Sequence, residues 1–88
     1  MTASAPIPIR LGLVGAGPWG RKIAAAIGTL PDAVLAGVAG RADWRALIAD
    51  ASIAGIIIAT PPATHAAIAR AAIAARKAVF IEKPLALA

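Results

Sequence analysis

The stretch GLVGAGPWGRK, Gly12 to Lys22, decides how this 88-residue chain is read. An apolar run ends in Gly15-Ala16-Gly17-Pro18-Trp19-Gly20, and the cationic pair Arg21-Lys22 follows. The glycines fit the spacing G-x-G-x-x-G. Ahead of them, Ile9-Arg10-Leu11-Gly12-Leu13-Val14 reads as a buried strand. Behind them, Pro18 to Gly28 reads as a helix, with Trp19, Ile23, Ile27 and Leu30 recurring on one face. Pro18 suits a first helical turn, where its missing N–H leaves no bond unmade. In a strand–turn–helix setting each glycine has a task. The first permits the tight turn, the second lets backbone approach a pyrophosphate, and the third lets helix and strand pack closely. Free N–H groups and the dipole at the helix start then favour an anion. Gly15, Gly17 and Gly20, with Pro18 and Trp19 inside the loop, are therefore candidate cofactor-binding residues. A tight turn that uses glycine only for packing is the plainer alternative.

Working outward, Leu30-Pro31-Asp32 is a turn and Ala33 to Ala39 a second apolar strand. Asp43 can cap a short helix, Trp44 to Ala49. Ile56-Ile57-Ile58-Ala59 is β-branched and apolar on both faces, as a central parallel strand is. Thr60-Pro61-Pro62 breaks it, and Ala63 to Ala75 reads as an alanine-rich helix. Arg76 and Lys77 lie at its C-terminal end, where cations complement the dipole. With Arg70 they read as a solvated face and tail. Ala78 to Ile81 is the last strand, followed by Glu82-Lys83-Pro84 and a short apolar tail. Strands alternate with helices throughout, which predicts right-handed crossovers and a parallel α/β sheet covered on both faces. Trp19 and Trp44 read most simply as core.

Composition narrows the function classes. At 88 residues the chain predicts one domain, residues 1–88. With no cysteine, one histidine and four carboxylates, it offers neither a disulfide nor an expected metal site. Nine Lys+Arg give a net charge of +5, which suits an anionic partner such as a phosphate or nucleotide. The basic residues are scattered and no aromatic-rich strand accompanies them, so nucleic acid is not the expected partner. The opening MTASAPIPIR shows no charged and apolar leader pattern. The longest uncharged run, Ala51 to Ala69, is split by Pro61-Pro62, where a spanning helix needs about 20 apolar residues. A cytoplasmic chain without membrane contact is expected.

Three segments in order, GLVGAGPWG, ATPPATH and VFIEKPLAL, resemble the Gfo/Idh/MocA oxidoreductases, a group that includes glucose–fructose oxidoreductase and inositol dehydrogenases. The resemblance runs from Ile9 to Leu87, and Glu82-Lys83-Pro84 is its most specific element. It implies an NAD(P) cofactor and hydride transfer with a sugar-like or polyol hydroxyl. It implies that Lys83 points at the nicotinamide and the substrate, where it orients or polarises the reacting group. By the same mapping Glu82 adjoins the cofactor, Thr60 and Pro61 border the nicotinamide ribose, and Pro62 and His65 start the next helix beside it. A polarising lysine at a strand's carboxyl end is sound chemistry without the family, since a hydride transfer needs a cation near the alkoxide. The plainer readings are a solvated lysine for Lys83 and a packing or capping role for His65.

The sequence departs from the family in three places. Similar proteins carry an acid, or a Ser-Arg-like pair, after the second strand. Here Gly40 is followed by Arg41, which leans the cofactor towards NADP, with Arg41 on the 2′-phosphate. Some twenty residues, a helix and a third strand, are missing between Gly40 and Asp43. The usual strand order 3-2-1-4-5 then becomes 2-1-4-5, a reduced Rossmann-like sheet whose second strand is an exposed edge. The substrate domain of similar enzymes is not in the chain, so catalysis by the chain alone is not expected. The main expectation is the nucleotide-binding portion of an NAD(P)-dependent oxidoreductase. The alternative is a non-catalytic interaction module that self-associates or docks through its edge strand.

Overall fold

A computed structural model describes residues 8–15, 17–40 and 42–81. Its elements are β1 (Ile9–Val14), α1 (Pro18–Ile27), β2 (Ala33–Ala39), α2 (Trp44–Ala49), β3 (Gly55–Ile58), α3 (His65–Ala74) and β4 (Ala78–Ile81). The strands form one sheet in the order β2-β1-β3-β4, and every pairing is parallel. This is the expected 2-1-4-5 order, with β3 and β4 standing for the fourth and fifth strands of the full unit. Three elements differ from the sequence reading, and α1 and α3 each end one residue early, at Ile27 and Ala74. β3 begins at Gly55 and ends at Ile58, although the Ala59 N–H still donates to the Val14 carbonyl at 2.8 Å. The third helix is preceded by a 3-10 turn, Pro62–Thr64, because the Thr64 N–H bonds back three residues to the Pro61 carbonyl at 3.0 Å.

The two faces of the sheet are unequally covered. On one side α2 and α3 close over Val14, Ile56 and Ile58, all fully buried, together with Trp44, Ile48, Ile53, Ile68 and Ala72. Burying each large aliphatic side chain here contributes roughly 1.5–3 kcal/mol. Leu47 of α2 seats where β1 and β2 offer only glycine. A Cβ on Gly12 or Gly37 would come within 2.9 or 2.6 Å of its side chain. A register shift after Leu11 brings these two glycines opposite one another. On the other side only α1 covers the sheet, over Leu13. Ile9, Val38 and Phe80 stay about half exposed there. The predicted apolar stripe of α1 is accordingly interrupted. Ile27 is buried, but α1 ends there, and Leu30 lies in the following turn at 48% exposure. Trp44 is core as expected; Trp19 is not, at 53% exposed, because the first turn of α1 overhangs the loops rather than the sheet.

The lower end of the fold is tied by polar groups. Lys77, read from sequence as solvated, is half-buried, and its Nζ donates to the carbonyls of Asp50 and Ile53 at 2.8 and 2.7 Å. It thereby fixes the turn between α2 and β3 to the end of α3. That end closes with Arg76 in the left-handed region (φ 62°). Its N–H reaches the Ile73 carbonyl, and the Lys77 N–H reaches Ala72, both at 2.9 Å. Asp50 Oδ1 accepts from the Ser52 hydroxyl at 2.7 Å and the Ser52 N–H at 2.9 Å. Those two bonds, helped by Arg10 and Lys77, hold the Asp50 carboxyl below its ordinary value of 3.8. A depressed carboxyl stabilises the fold above its unfolded pKa, and that contribution is lost as pH falls through the folded one. Urea midpoints recorded from pH 6 down to about pH 3 should therefore fall less steeply for Asp50→Asn than for the parent. Equal slopes would show that the Ser52 bonds carry no such linkage.

Candidate functional site

The chain leaves β1 for α1 on one face of the sheet and leaves β3 for α3 on the other. The carboxyl ends of β1 and β3 therefore flank the point where the winding reverses, the crevice in which open α/β sheets bind ligands. Backbone bonds draw three strand ends together there. The Gly15 N–H donates to the Ala39 carbonyl at 2.8 Å, and Ala59 bonds Val14 as described.

The three glycines of the turn have different surroundings. Gly15 holds φ 127°, and a Cβ there would come within 2.7 Å of the Ala59 carbonyl oxygen. A Cβ on Gly20 would overlap the Gly15 carbonyl oxygen. A Cβ on Gly17 would meet nothing within 4 Å. The first and third glycines thus allow backbone to lie on backbone, and the second borders open space. Gly17 is also the N-cap of α1, with Pro18 at the first helical position and no acidic residue in the first turn. The first bond inside the helix is Arg21 N–H to Gly17 carbonyl, at 2.9 Å. The N–H groups of Trp19 and Gly20 consequently have no partner within α1. Trp19 stands exposed over this end, with Lys22 Nζ 5.3 Å from the centre of its ring. The arrangement fits an anionic group: donors, a positive dipole end and two cations, with no carboxylate in the first turn of the helix.

Across the crevice, Thr60 and Pro61 follow β3 and lead into α3. The Thr60 and Thr64 hydroxyls lie 2.6 Å apart, and the Thr64 hydroxyl donates to the Pro61 carbonyl at 2.9 Å. His65 Nε2 sits 2.6 Å from the Thr60 carbonyl, which ties the first residue of α3 back to the loop. Thr64 was not singled out by the sequence reading. Its only signal there is the four-residue spacing from Thr60.

After β2, Asp43 stands at the N-cap of α2 but makes no capping bond. Its Oδ1 instead accepts the Gly40 N–H at 2.8 Å, which folds the loop back on the strand end. The expected cap is thus a loop tie, since the Asp43 carboxylate bonds the strand end and makes no bond to the helix. Arg41, Glu82 and Lys83 lie outside the described residues. Gly15, Gly17, Pro18, Trp19 and Gly20 line one side of the crevice, and Thr60, Pro61 and His65 stand on the other.

A second hollow lies elsewhere. An open cleft of about 490 Å³ lies at the amino ends of the strands, between Ile9, Leu11, Leu30, Gly55 and Phe80. Its lining is apolar but for Asp32, so it lacks the donors that the glycine turn supplies. Among the described residues there is no group of three or more side chains able to hold a metal ion. No helix among them is long and apolar enough to cross a membrane.

The model for the Gfo/Idh/MocA oxidoreductase family, NAD-binding Rossmann fold, matches residues 33–88. An inositol 2-dehydrogenase of Acidothermus cellulolyticus is 50% identical over 44 residues, which are 50% of this chain and 13% of that protein. Apo scyllo-inositol dehydrogenase from Lactobacillus casei superposes with a TM-score of 0.81 at 25% identity, over 97% of this chain and 31% of its own. Biliverdin reductase from Synechocystis sp. PCC 6803, in complex with biliverdin and NADP+, gives 0.77 at 34% identity, over 91% and 31%. The chain therefore spans under a third of the length of each of these relatives.

Proposed function

The chain belongs to the Gfo/Idh/MocA family of oxidoreductases as an NAD(P)-binding Rossmann domain, and from that premise we propose how its residues hold and use the cofactor. The single observation that carries the reading is the division of labour in the glycine turn. Gly15 and Gly20 press backbone on backbone, while Gly17 leaves open space at a helix N-terminus. The pyrophosphate lies in that space, on the N–H groups that α1 cannot use. Thr60 and Pro61 border the nicotinamide ribose, and His65 holds their loop. The bound nicotinamide supplies or accepts a hydride. Lys83, two residues past the end of β4, is the group we assign to orient and polarise the reacting oxygen, with Glu82 beside it.

For the adenosine end we propose NADP rather than NAD. Gly40 occupies the place of the ribose-binding acid, Arg41 follows it, and the nearby Asp43 carboxylate is already engaged by the Gly40 N–H. For the substrate we propose a polyol or sugar-like hydroxyl, by likeness to the two inositol dehydrogenases. Residues 1–88 then act as the nucleotide-binding domain, and turnover requires a substrate-binding part that the relatives carry in their further length.

The test is a parallel fluorescence titration with NADPH and NADH, read by energy transfer from Trp19 to the reduced nicotinamide. Saturable binding, tighter for NADPH and weakened at least about tenfold by Gly17→Val, is expected. No binding of either cofactor to a cooperatively folded chain would overturn the reading. The edge strand favours one second reading. β2 leaves Val34 and Val38 at 38% and 50% exposure, so self-association along that edge would appear as concentration-dependent mass in sedimentation.

A further inference from the structure

Proton counting in the loop after β3 assigns a polarity that the hydrogen-bond distances alone leave open. A hydroxyl has one proton to donate and two lone pairs that accept. The Thr64 hydroxyl lies 2.9 Å from the Pro61 carbonyl, which can only accept, so the Thr64 proton is committed to it. The two hydroxyl oxygens of Thr60 and Thr64 are 2.6 Å apart, a separation that requires a proton between them. That proton must come from Thr60. His65 is fixed in the same way. Its Nε2 lies 2.6 Å from the Thr60 carbonyl, again an acceptor, so Nε2 carries the hydrogen and the neutral ring leaves Nδ1 bare.

We infer that the Thr60 hydroxyl faces its ligand as a hydrogen-bond acceptor only, its proton held by Thr64 while His65 holds the Thr60 carbonyl, and that this oxygen therefore selects a ligand hydroxyl. Thr60 is half-buried at the carboxyl end of β3, next to the Ala59 carbonyl that lies under Gly15. A phosphate or carbonyl oxygen has no proton to offer it, whereas a sugar hydroxyl does. The inference rests on the dinucleotide reading for the identity of that hydroxyl, one of the two on the nicotinamide ribose. Thr64 and His65 are then positioning residues: they touch no ligand but set what Thr60 can do.

Two measurements on the full 88-residue chain test it. His65 is the sole histidine, so its ring gives an unmixed signal in a long-range proton–nitrogen spectrum. We expect the neutral ring protonated on Nε2, with or without cofactor. A proton on Nδ1 instead would overturn the assignment, whatever the chain binds. The second measurement compares NADPH with its analogues lacking the nicotinamide-ribose 2′- or 3′-hydroxyl. One analogue should bind about five- to tenfold more weakly to the parent chain, the scale of one neutral hydrogen bond. Thr60→Val should bind NADPH and that analogue alike. Thr64→Val frees the Thr60 proton and should shrink the discrimination, while Thr64→Ser should restore it. NADPH binding that ignores both missing hydroxyls overturns this inference and leaves the dinucleotide reading standing. Absence of NADPH binding to a folded chain overturns the dinucleotide reading and the ligand named here with it.

Discussion

Gly20→Ala should destabilise the chain by about 3 kcal/mol or more, while Gly17→Ala should change its stability by no more than about 1 kcal/mol. Both remove a glycine from the same turn, and from sequence they look alike. Their surroundings differ. The new methyl at residue 20 would overlap the Gly15 carbonyl oxygen, and that carbonyl cannot retreat. Its residue is anchored by the N–H bond to Ala39 and is pressed against the Ala59 carbonyl behind it. Relief would require α1 to lift away from β1, exposing Leu13, which is 1% exposed. At residue 17 the methyl enters open space. An 88-residue fold has roughly 5–10 kcal/mol in total, so the first change removes a large part of it. Urea titration followed by circular dichroism decides the matter. Equal midpoints for the two variants would mean that the helix does not pack on the turn as described. The same pair separates structure from binding, because any affinity lost in Gly17→Ala cannot be blamed on unfolding.

The fold was legible because its signals are local. Four apolar runs, each ended by glycine or a polar residue, give four strands, and β1, β2 and β4 start and stop where the sequence predicts. The turn was legible because spacing and context coincide. Other features depend on partners far along the chain, and no pattern announces them. Lys77 is half-buried because carbonyls 24 and 27 residues earlier meet its ammonium. Trp19 and Trp44 have the same apolar side chain at a helix start. Only the sheet's shape shows that one overhangs the loops and the other meets the core. Asp43 has the spacing of a cap, yet the shortened connection after β2 bends its carboxylate back to Gly40. The polarity of Thr60 needs the distances to three neighbours at once. Arg41, assigned where the sequence departs from the family, and Glu82 and Lys83, assigned by the resemblance, fall outside the described residues.

Ile58→Ala should lower stability by about 2–5 kcal/mol, and Phe80→Ala should lower it by less than about 1 kcal/mol, although phenylalanine is the larger side chain. Ile58 is fully buried between β1 and the α2–α3 layer, among Val14, Ile56 and Ile68. Truncation there leaves a cavity that the surrounding strands and helices cannot fill. Phe80 lies on the α1 face but beyond the cover of that helix, and it is 55% exposed, so its ring has little burial to lose. Ile58→Val removes one methyl group and should cost about 0.5–1.5 kcal/mol, which grades the effect by volume rather than by position alone. The consequence extends to the site. Ile58 is the last residue of β3, two before Thr60, so the core on this side is what holds the ribose-facing loop in place. Hydrogen exchange at the Ala59 amide, which bonds to Val14, should accelerate in Ile58→Ala and stay at the parent rate in Phe80→Ala. If both variants exchanged alike, the loop would owe its order to the Thr60–Thr64–His65 bonds alone. The unequal faces of the sheet would then have no bearing on the site.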